Sequence, residues 1–396
     1  MNVFRVSKIR LYPSASQEIA LLEALRVCKD AWNALKALIQ DEYEKTGKSL
    51  TCYDLNRRLP ALKQVEPKYA KVHSQVLQNV VKRLTDAYKT FFSLRENGYK
   101  TRLPRFKTLE QYRSFTYPQF GFGFDGKKVQ LSKTGSIKYR GNVPKGRIKT
   151  FTVKRTPSGK WLGYIVYEKT VEPFDADLPP VGVDLGLERF ATLSDGHVVP
   201  IPQFYRRDER RVKKAHKTLS RKKRGSKNRE KAKVKLSRVY EKVKDTRLDF
   251  LHKTSTWIAD RYSVVCVEDL NIAGMAQGLR LGKSVYDASW GKALELLEYK
   301  LEERSGELIK VDPRYTSQTC SGCGELVEKP LLERVHRCPS CGLVLNRDLN
   351  AARNILRKGI GRGPPEYTPA GEVATTPHGE VQAASVNQEA SQLVGR

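Results

Sequence analysis

Four cysteines in two tight pairs, Cys320-Ser-Gly-Cys323 and Cys338-Pro-Ser-Cys341, constrain this chain more than any other feature. Each pair is followed by a glycine, Gly324 and Gly342, and the stretch between them has the length of a small ribbon. Four thiolates at this spacing suit tetrahedral Zn²⁺, and four protein ligands leave no position open for catalysis, so one structural zinc ion is expected. A redox pair or another soft metal are the other readings of the same spacing. His336 could substitute as a ligand, though the four cysteines suffice. Cys28, Cys52 and Cys266 read as buried apolar residues. An odd total of seven cysteines, four in two tight pairs and three scattered, does not suit a secreted disulfide framework. The opening residues carry no apolar leader, and no run reaches the roughly 18 apolar residues of a membrane span. A cytoplasmic protein is expected.

Immediately after the cysteines comes Asn346-Arg-Asp-Leu-Asn-Ala-Ala-Arg-Asn-Ile355, which reads as a helix. On it Asp348, Ala352 and Ile355 share one face, so an acid stands in line with residues that should pack on a sheet. Two further acids end apolar strands: Asp184 in Val181-Gly-Val-Asp-Leu-Gly186, and Glu268 in Val264-Val-Cys-Val-Glu-Asp-Leu270. A buried carboxylate is costly unless a cation or hydrogen bonds compensate it. The glycines beside Asp184 would let a phosphate or metal approach the backbone. Asp269 should point to the opposite face of its strand from Glu268. Three acids of this kind suit phosphodiester hydrolysis assisted by two Mg²⁺ ions, with Mn²⁺ as a substitute. Asp184 is expected to bridge both ions, with Glu268 and Asp348 each completing one side.

The surrounding element order supports that reading. Strands at 181–184, 188–194 and 197–201 precede a long basic helical region at 205–260, a strand at 263–268, a helix at about 286–305 and a strand at 307–311. Three meandering strands followed by alternating helix and strand is the order of an RNase H-like α/β domain. Upstream, residues 3–12 read as a strand ending at Pro13, and Ser14 with Gln17 forms a capping box. A helix follows with Ile19, Leu22, Leu25, Cys28, Trp32, Leu35 and Ile39 at helical spacing, and a second is expected over about Tyr69 to Arg95. From 113 to 170 the aromatic and β-branched residues with frequent Gly read as a small antiparallel barrel, completed by the first strand. The expected architecture is therefore multidomain α+β. A helical unit (14–100) is inserted in a β-barrel (1–13 and 101–178), and an RNase H-like domain (179–312 and 346–360) carries a zinc ribbon (313–345). The Pro-, Gly-, Ala- and Ser-rich residues 361–396 read as a disordered tail.

The charge names the partner class. Lys and Arg number 73 against 43 Asp and Glu, a formal net charge of +30, which favours a polyanion such as nucleic acid. The charge concentrates between Arg206 and Arg247, including Arg221, Lys222, Lys223 and Arg224, while Val212, Ala215 and Leu219, then Leu236, Val239 and Val243, keep helical spacing. Two basic helices in a hairpin, broken at Gly225-Ser226, would track a phosphate backbone.

Taken together, these motifs resemble the transposon-encoded TnpB family, relatives of the type V CRISPR effector nucleases. The resemblance spans nearly the whole chain to about residue 358. It rests on GVDLG with Asp184, VEDL with Glu268, the knuckle beginning Ser317-Gln318, and RDLNAARNI with Asp348. Smaller matches are Arg10-Leu-Tyr-Pro13, Leu103-Pro-Arg-Phe106, Asp249-Phe-Leu-His252 and Ala288-Ser-Trp-Gly291. The resemblance implies an RNA-guided DNA endonuclease. A guide RNA would pair with the target strand, the protein would read a short adjacent motif, and a RuvC-type site would cut both strands of double-stranded DNA. It further implies that Asp184, Glu268 and Asp348 form the catalytic triad, that the helical unit is a recognition lobe and that the barrel is a wedge domain. By the same resemblance, Leu77-Gln78-Asn79 matches a family segment that lies against the target-adjacent motif, which makes Gln78 a candidate for base contact. One protein per guide RNA is expected. The competing readings are a DNA transposase with the same carboxylate chemistry, a type V CRISPR effector, and a nucleic-acid-binding regulator, which the intact triad disfavours.

Overall fold

A computed structural model describes residues 2–171, 178–272, 274–275, 282–330 and 333–361. Apart from Gly361, the expected tail lies outside them. The first strand, β1 (Asn2–Tyr12), belongs to a seven-stranded sheet with β2 (Ser114–Tyr117), β3 (Phe122–Phe124), β4 (Lys128–Leu131), β5 (Gly135–Arg140), β6 (Arg147–Arg155) and β7 (Trp161–Thr170). The strand order is β2-β6-β7-β1-β5-β4-β3, with antiparallel pairing. β1 is thus the centre of the sheet, paired with β7 from Asn2↔Thr170 to Leu11↔Trp161 and with β5 from Arg10↔Arg140 to Tyr12↔Lys138. Alternation along the strands turns Ile9, Leu11, Val129, Leu131, Ile137, Phe151, Val153 and Ile165 into a buried interior. The two edge strands approach through side chains, with the Tyr117 and Phe122 ring centroids 6.3 Å apart.

Between β1 and β2 the chain forms α1 (Ala15–Thr46), α2 (Cys52–Val65) and α3 (Ser74–Glu96). The Ser14–Gln17 capping box is present. Ile19 stands 69% exposed, outside the buried face that Leu25, Cys28, Trp32, Leu35 and Ile39 share. The expected helix from Tyr69 is corrected. Pro67–Lys71 is a 3-10 turn, Val72 is extended, and the His73 imidazole caps a helix that starts only at Ser74. α2 was not expected; the Thr51–Asp54 capping box starts it, and it tolerates Pro60 inside. Helices and barrel share one apolar core, and Trp32 Nε1 and Arg83 Nη1 donate to the carbonyls of Arg105 and Ser114.

The second half builds a five-stranded sheet from β8 (Val181–Asp184), β9 (Arg189–Leu193), β10 (Val198–Pro200), β11 (Val264–Glu268) and β12 (Glu307–Val311). Its order is β10-β9-β8-β11-β12, with β8–β9 and β9–β10 antiparallel and β8–β11 and β11–β12 parallel. Helices α4 (Phe204–Ser220) and α5 (Lys227–Ala259) form the basic hairpin, and Gly225 takes the positive φ of its turn. The helix expected at 286–305 is two, α6 (Gly282–Ala288) and α7 (Trp290–Glu302), because Ser289 adopts a left-handed conformation. The last helix, α8 (Arg347–Ile360), follows the short hairpin of β13 (Val335–Arg337) and β14 (Val344–Asn346).

Alternation decides what faces each side of this sheet. Val181, Val183, Val265 and Val267 pack with Leu251 and Ile258 of α5 and Leu297 and Leu301 of α7. The opposite set contains Gly182, Asp184, Cys266 and Glu268, and there Cys266 packs on Ile355 of α8. The approach is close: a Cβ on Gly182 would lie 2.0 Å from the Ala352 carbonyl oxygen. Gly182 therefore admits α8, which corrects the expectation that it admits a phosphate or metal.

The halves are tied by half-buried and exposed ion pairs and one hydrogen bond. Arg5 pairs with Glu303 at 2.5 Å, Lys169 with the same carboxylate at 3.1 Å and Lys160 with Glu241 at 2.9 Å, while the Ser158 hydroxyl donates to Glu241 at 2.8 Å. Among the described residues no helix is long and apolar enough to cross a membrane.

Candidate functional site

Asp184 and Glu268 end adjacent parallel strands in matched register, since Val183 pairs with Val267. Both project toward the face that α8 covers. Asn346 caps that helix, its Oδ1 accepting the Asp348 N–H at 3.0 Å, which sets Asp348 in the first turn. The three acids expected from sequence therefore converge. Burial pushes the Asp184 carboxyl up to about 8, with the charges of Glu268 and Asp348 adding to the effect and Arg347 and Arg334 opposing it. Glu268 is also raised, chiefly by burial, against a hydrogen bond from the Thr316 hydroxyl and the charge of Lys358. Such a cluster repels itself and favours a cation of high charge. Oxygen-only donors of this kind suit Mg²⁺ or Mn²⁺. Asp269 is exposed.

Two neighbours of the acids were not legible from motif spacing. Arg334 Nη1 lies 3.8 Å from Asp348 Oδ1, and its Nη2 donates to Glu188. Thr316, buried, donates its hydroxyl to Glu268. Both belong to the segment between β12 and α8 that also holds the cysteines.

The four cysteine sulfurs lie within 4.8 Å of one another, with Cys320–Cys341 at 3.6 Å and Cys323–Cys338 at 3.5 Å. A disulfide requires about 2.05 Å. A Zn²⁺ tetrahedron with Zn–S near 2.3 Å has edges of about 3.8 Å, which this arrangement fits. Each knuckle closes by an N–H from the glycine after it, Gly324 to the Cys320 carbonyl and Gly342 to the Cys338 carbonyl, both 3.0 Å. Those glycines sit at φ +85° and +76°, a conformation most residues avoid. His336 is buried and faces Lys329 rather than joining the cluster. Cys28 and Cys266 are fully buried and Cys52 half-buried, none within a metal-ligating group of the described residues.

Arg221, Lys222, Lys223 and Arg224 form the exposed tip of the α4–α5 hairpin. Arg229 fastens that tip by donating to the Leu219 and Lys222 carbonyls. Asp287 of α6 caps α4 from outside, accepting the Tyr205 N–H at 2.9 Å while pairing with Arg247 at 2.6 Å. Gln78 is exposed on α3.

Family profiles described as "Probable transposase", "Cas12f1-like, TNB domain" and "Helix-turn-helix domain" match residues 164–278, 290–355 and 1–48. Over the last of these the chain forms a strand and one long helix, not a helix-turn-helix. A protein of Streptomyces pristinaespiralis, provisionally named an RNA-guided DNA endonuclease, is 33% identical over 377 residues, covering 91% of this chain and 90% of that one. InsQ of Escherichia coli strain K12, provisionally named likewise, is 31% identical over 91% of this chain and 93% of its own length. Among solved structures, Cas12f1 in its complex with sgRNA and target DNA matches with a TM-score of 0.54 at 16% identity, covering 87% of this chain and 83% of that one. That likeness is one of fold.

Proposed function

This chain belongs to the family of TnpB-like RNA-guided DNA endonucleases, and from that premise we propose that Asp184, Glu268 and Asp348 cut double-stranded DNA chosen by a guide RNA. The observation that carries the reading is the convergence of three acids on one face of the sheet, with Asp184 pushed up to about 8 by burial and by its two neighbours. Divalent ions bound by them would supply an activated water, neutralise the phosphate and stabilise the leaving oxygen. The chain's own part is to hold those carboxylates rigidly. Parallel pairing of β8 with β11 sets the backbone of Asp184 beside that of Glu268. The Asn346 cap fixes Asp348. Arg334, already turned to Asp348, can shift to a phosphate oxygen of the bound strand.

In this reading the five-stranded sheet with α8 is a RuvC-type, RNase H-like domain, as its strand order suggests. The barrel serves as the wedge, the helices as the recognition lobe with Gln78 toward the target-adjacent motif, and Arg221–Arg224 contact nucleic-acid backbone. The cysteine cluster holds one structural Zn²⁺. One protein acts per guide RNA. A strand-transfer transposase is not favoured, because relatives matched over nine-tenths of the chain carry endonuclease names. The CRISPR-associated Cas12f1 of Sulfoacidibacillus thermotolerans matches over only 35% of the chain, so a transposon origin is the better reading.

The test is to purify the protein from cells and sequence its bound RNA. A reproducible RNA ending in a variable segment supports the reading, and recovery of no discrete RNA opposes it.

A further inference from the structure

The residues between β12 and α8 carry the cysteine cluster and also pack on α8. α8 grips the stretch from Asp312 to Ser321 along one polar stripe. Asn354, nearly fully buried, donates to the carbonyls of Thr316 at 2.8 Å and Thr319 at 2.6 Å. Asn350, fully buried one turn earlier, donates to the Thr319 carbonyl at 2.7 Å and accepts the Ser321 N–H at 2.8 Å. One turn later, Lys358 donates to the Arg314 carbonyl at 2.6 Å. Spacings of four residues put these three side chains on one side of the helix. Ser321 and Cys320 lie at the end of that grip, in the first knuckle.

Thr316 stands at the middle of this stretch and is only 3% exposed. Its hydroxyl reaches Glu268 Oε1 and also lies 3.0 Å from the Pro313 carbonyl. It has one proton, and an ionised carboxylate is the stronger acceptor. Glu268 ends a strand, so its side chain has rotamer freedom that the sheet does not restrict. A hydrogen bond from a fully anchored hydroxyl removes that freedom.

We propose that Thr316 is the positioning residue for Glu268, and that through Asn354 it makes the orientation of this carboxylate depend on the seating of the cysteine-bearing segment upon α8. The proposal rests on the reading of Glu268 as a ligand for a divalent ion. Partners of metal-binding carboxylates hold them in the geometry that the ion requires, and their loss typically costs about 10- to 100-fold in metal affinity or activity.

The decisive pair is Thr316→Ser and Thr316→Ala. Both lose the methyl group, and only the second loses the hydroxyl. Guide-loaded full-length variants are titrated with Mg²⁺, following both cleavage and the Mg²⁺-induced rise in melting temperature. Thr316→Ala should need about 10- to 100-fold more Mg²⁺ in both readouts, with zinc content and RNA binding unchanged, and Thr316→Ser should stay near wild type. Asn354→Ala should shift the Mg²⁺ requirement in the same direction, and the double variant should go no further than Thr316→Ala. Equal behaviour of the Ser and Ala variants, or additive shifts in the double variant, would overturn the proposal. Glu268→Gln run in parallel separates the two levels. If it keeps full cleavage and an unchanged Mg²⁺ response, the assignment of Glu268 falls, and the role of Thr316 falls with it.

Discussion

Replacing Asp184 with Asn should abolish cleavage and yet stabilise the metal-free protein above neutral pH. Burial, then Glu268 and Asp348, raise the Asp184 carboxyl from 3.8 to about 8. Its unfolded value is near 3.9. Between those limits the native state keeps a proton that the unfolded chain has released. The stability contributed by that proton is complete below about pH 4 and is lost as pH rises through about 8. An amide of the same shape never has to ionise. The interval spans about four pH units at about 1.4 kcal/mol each, so the ceiling is roughly 5 kcal/mol. Relaxation and water entry reduce it. If about 2 kcal/mol survives, the melting temperature of a domain of roughly 150–250 residues rises by about 4–8 °C. The assay is thermal unfolding in Mg²⁺-free buffer without chelator, so that bound zinc stays in place, from about pH 5 to pH 9. The Asn variant should exceed wild type at the alkaline end, the gap should shrink toward pH 4, and added Mg²⁺ should raise wild type alone. A gap that is absent, or that is independent of pH, would refute the reasoning.

The other predictions concern the frame around the acids. Cys320→Ser should take zinc from one ion per chain toward none and lower cleavage at least tenfold; well-folded wild-type protein without zinc would sink the ligand assignment. Gly182→Ala should lower the melting temperature markedly, because its Cβ would meet the Ala352 carbonyl at 2.0 Å. Overpacking of this kind costs about 1–3 kcal/mol or more, and α8 must move with Asp348 on it. Exchanging Arg221, Lys222, Lys223 and Arg224 for Ala should weaken RNA binding and flatten its salt dependence, by about 0.7 in log–log slope for each phosphate no longer neutralised. An unchanged slope would remove the tip from the interface.

The acids were legible in the sequence because each ends or heads an apolar run whose period is visible. Asp184 and Glu268 follow valines at alternating spacing, and Asp348 lines up with Ala352 and Ile355. The barrel was legible from its aromatic and β-branched texture, and β1 was correctly joined to it. What was not legible depended on packing between segments distant along the chain. Gly182 looked like room for a ligand, but only the packing of α8 reveals what fills that room. The break at Ser289 and the late start of α3 at Ser74 follow from single backbone conformations that no periodicity signals. α2 was passed over although Leu55, Leu59 and Leu62 keep helical spacing. Arg334 and Thr316 carry no motif. Asn350 and Asn354 did leave a trace, two amides one turn apart beside the acid, which a search for buried polar stripes would have found.

The most direct measurement reprogrammes the guide. Purified protein loaded with RNA of two different variable segments is offered supercoiled DNA carrying either matching sequence, each beside every possible short flanking motif. With divalent metal present, wild type should cut only the DNA matching its guide, and Asp184→Ala should bind the same RNA and cut neither. Cleavage that ignores the guide, or that survives in Asp184→Ala, would contradict the account.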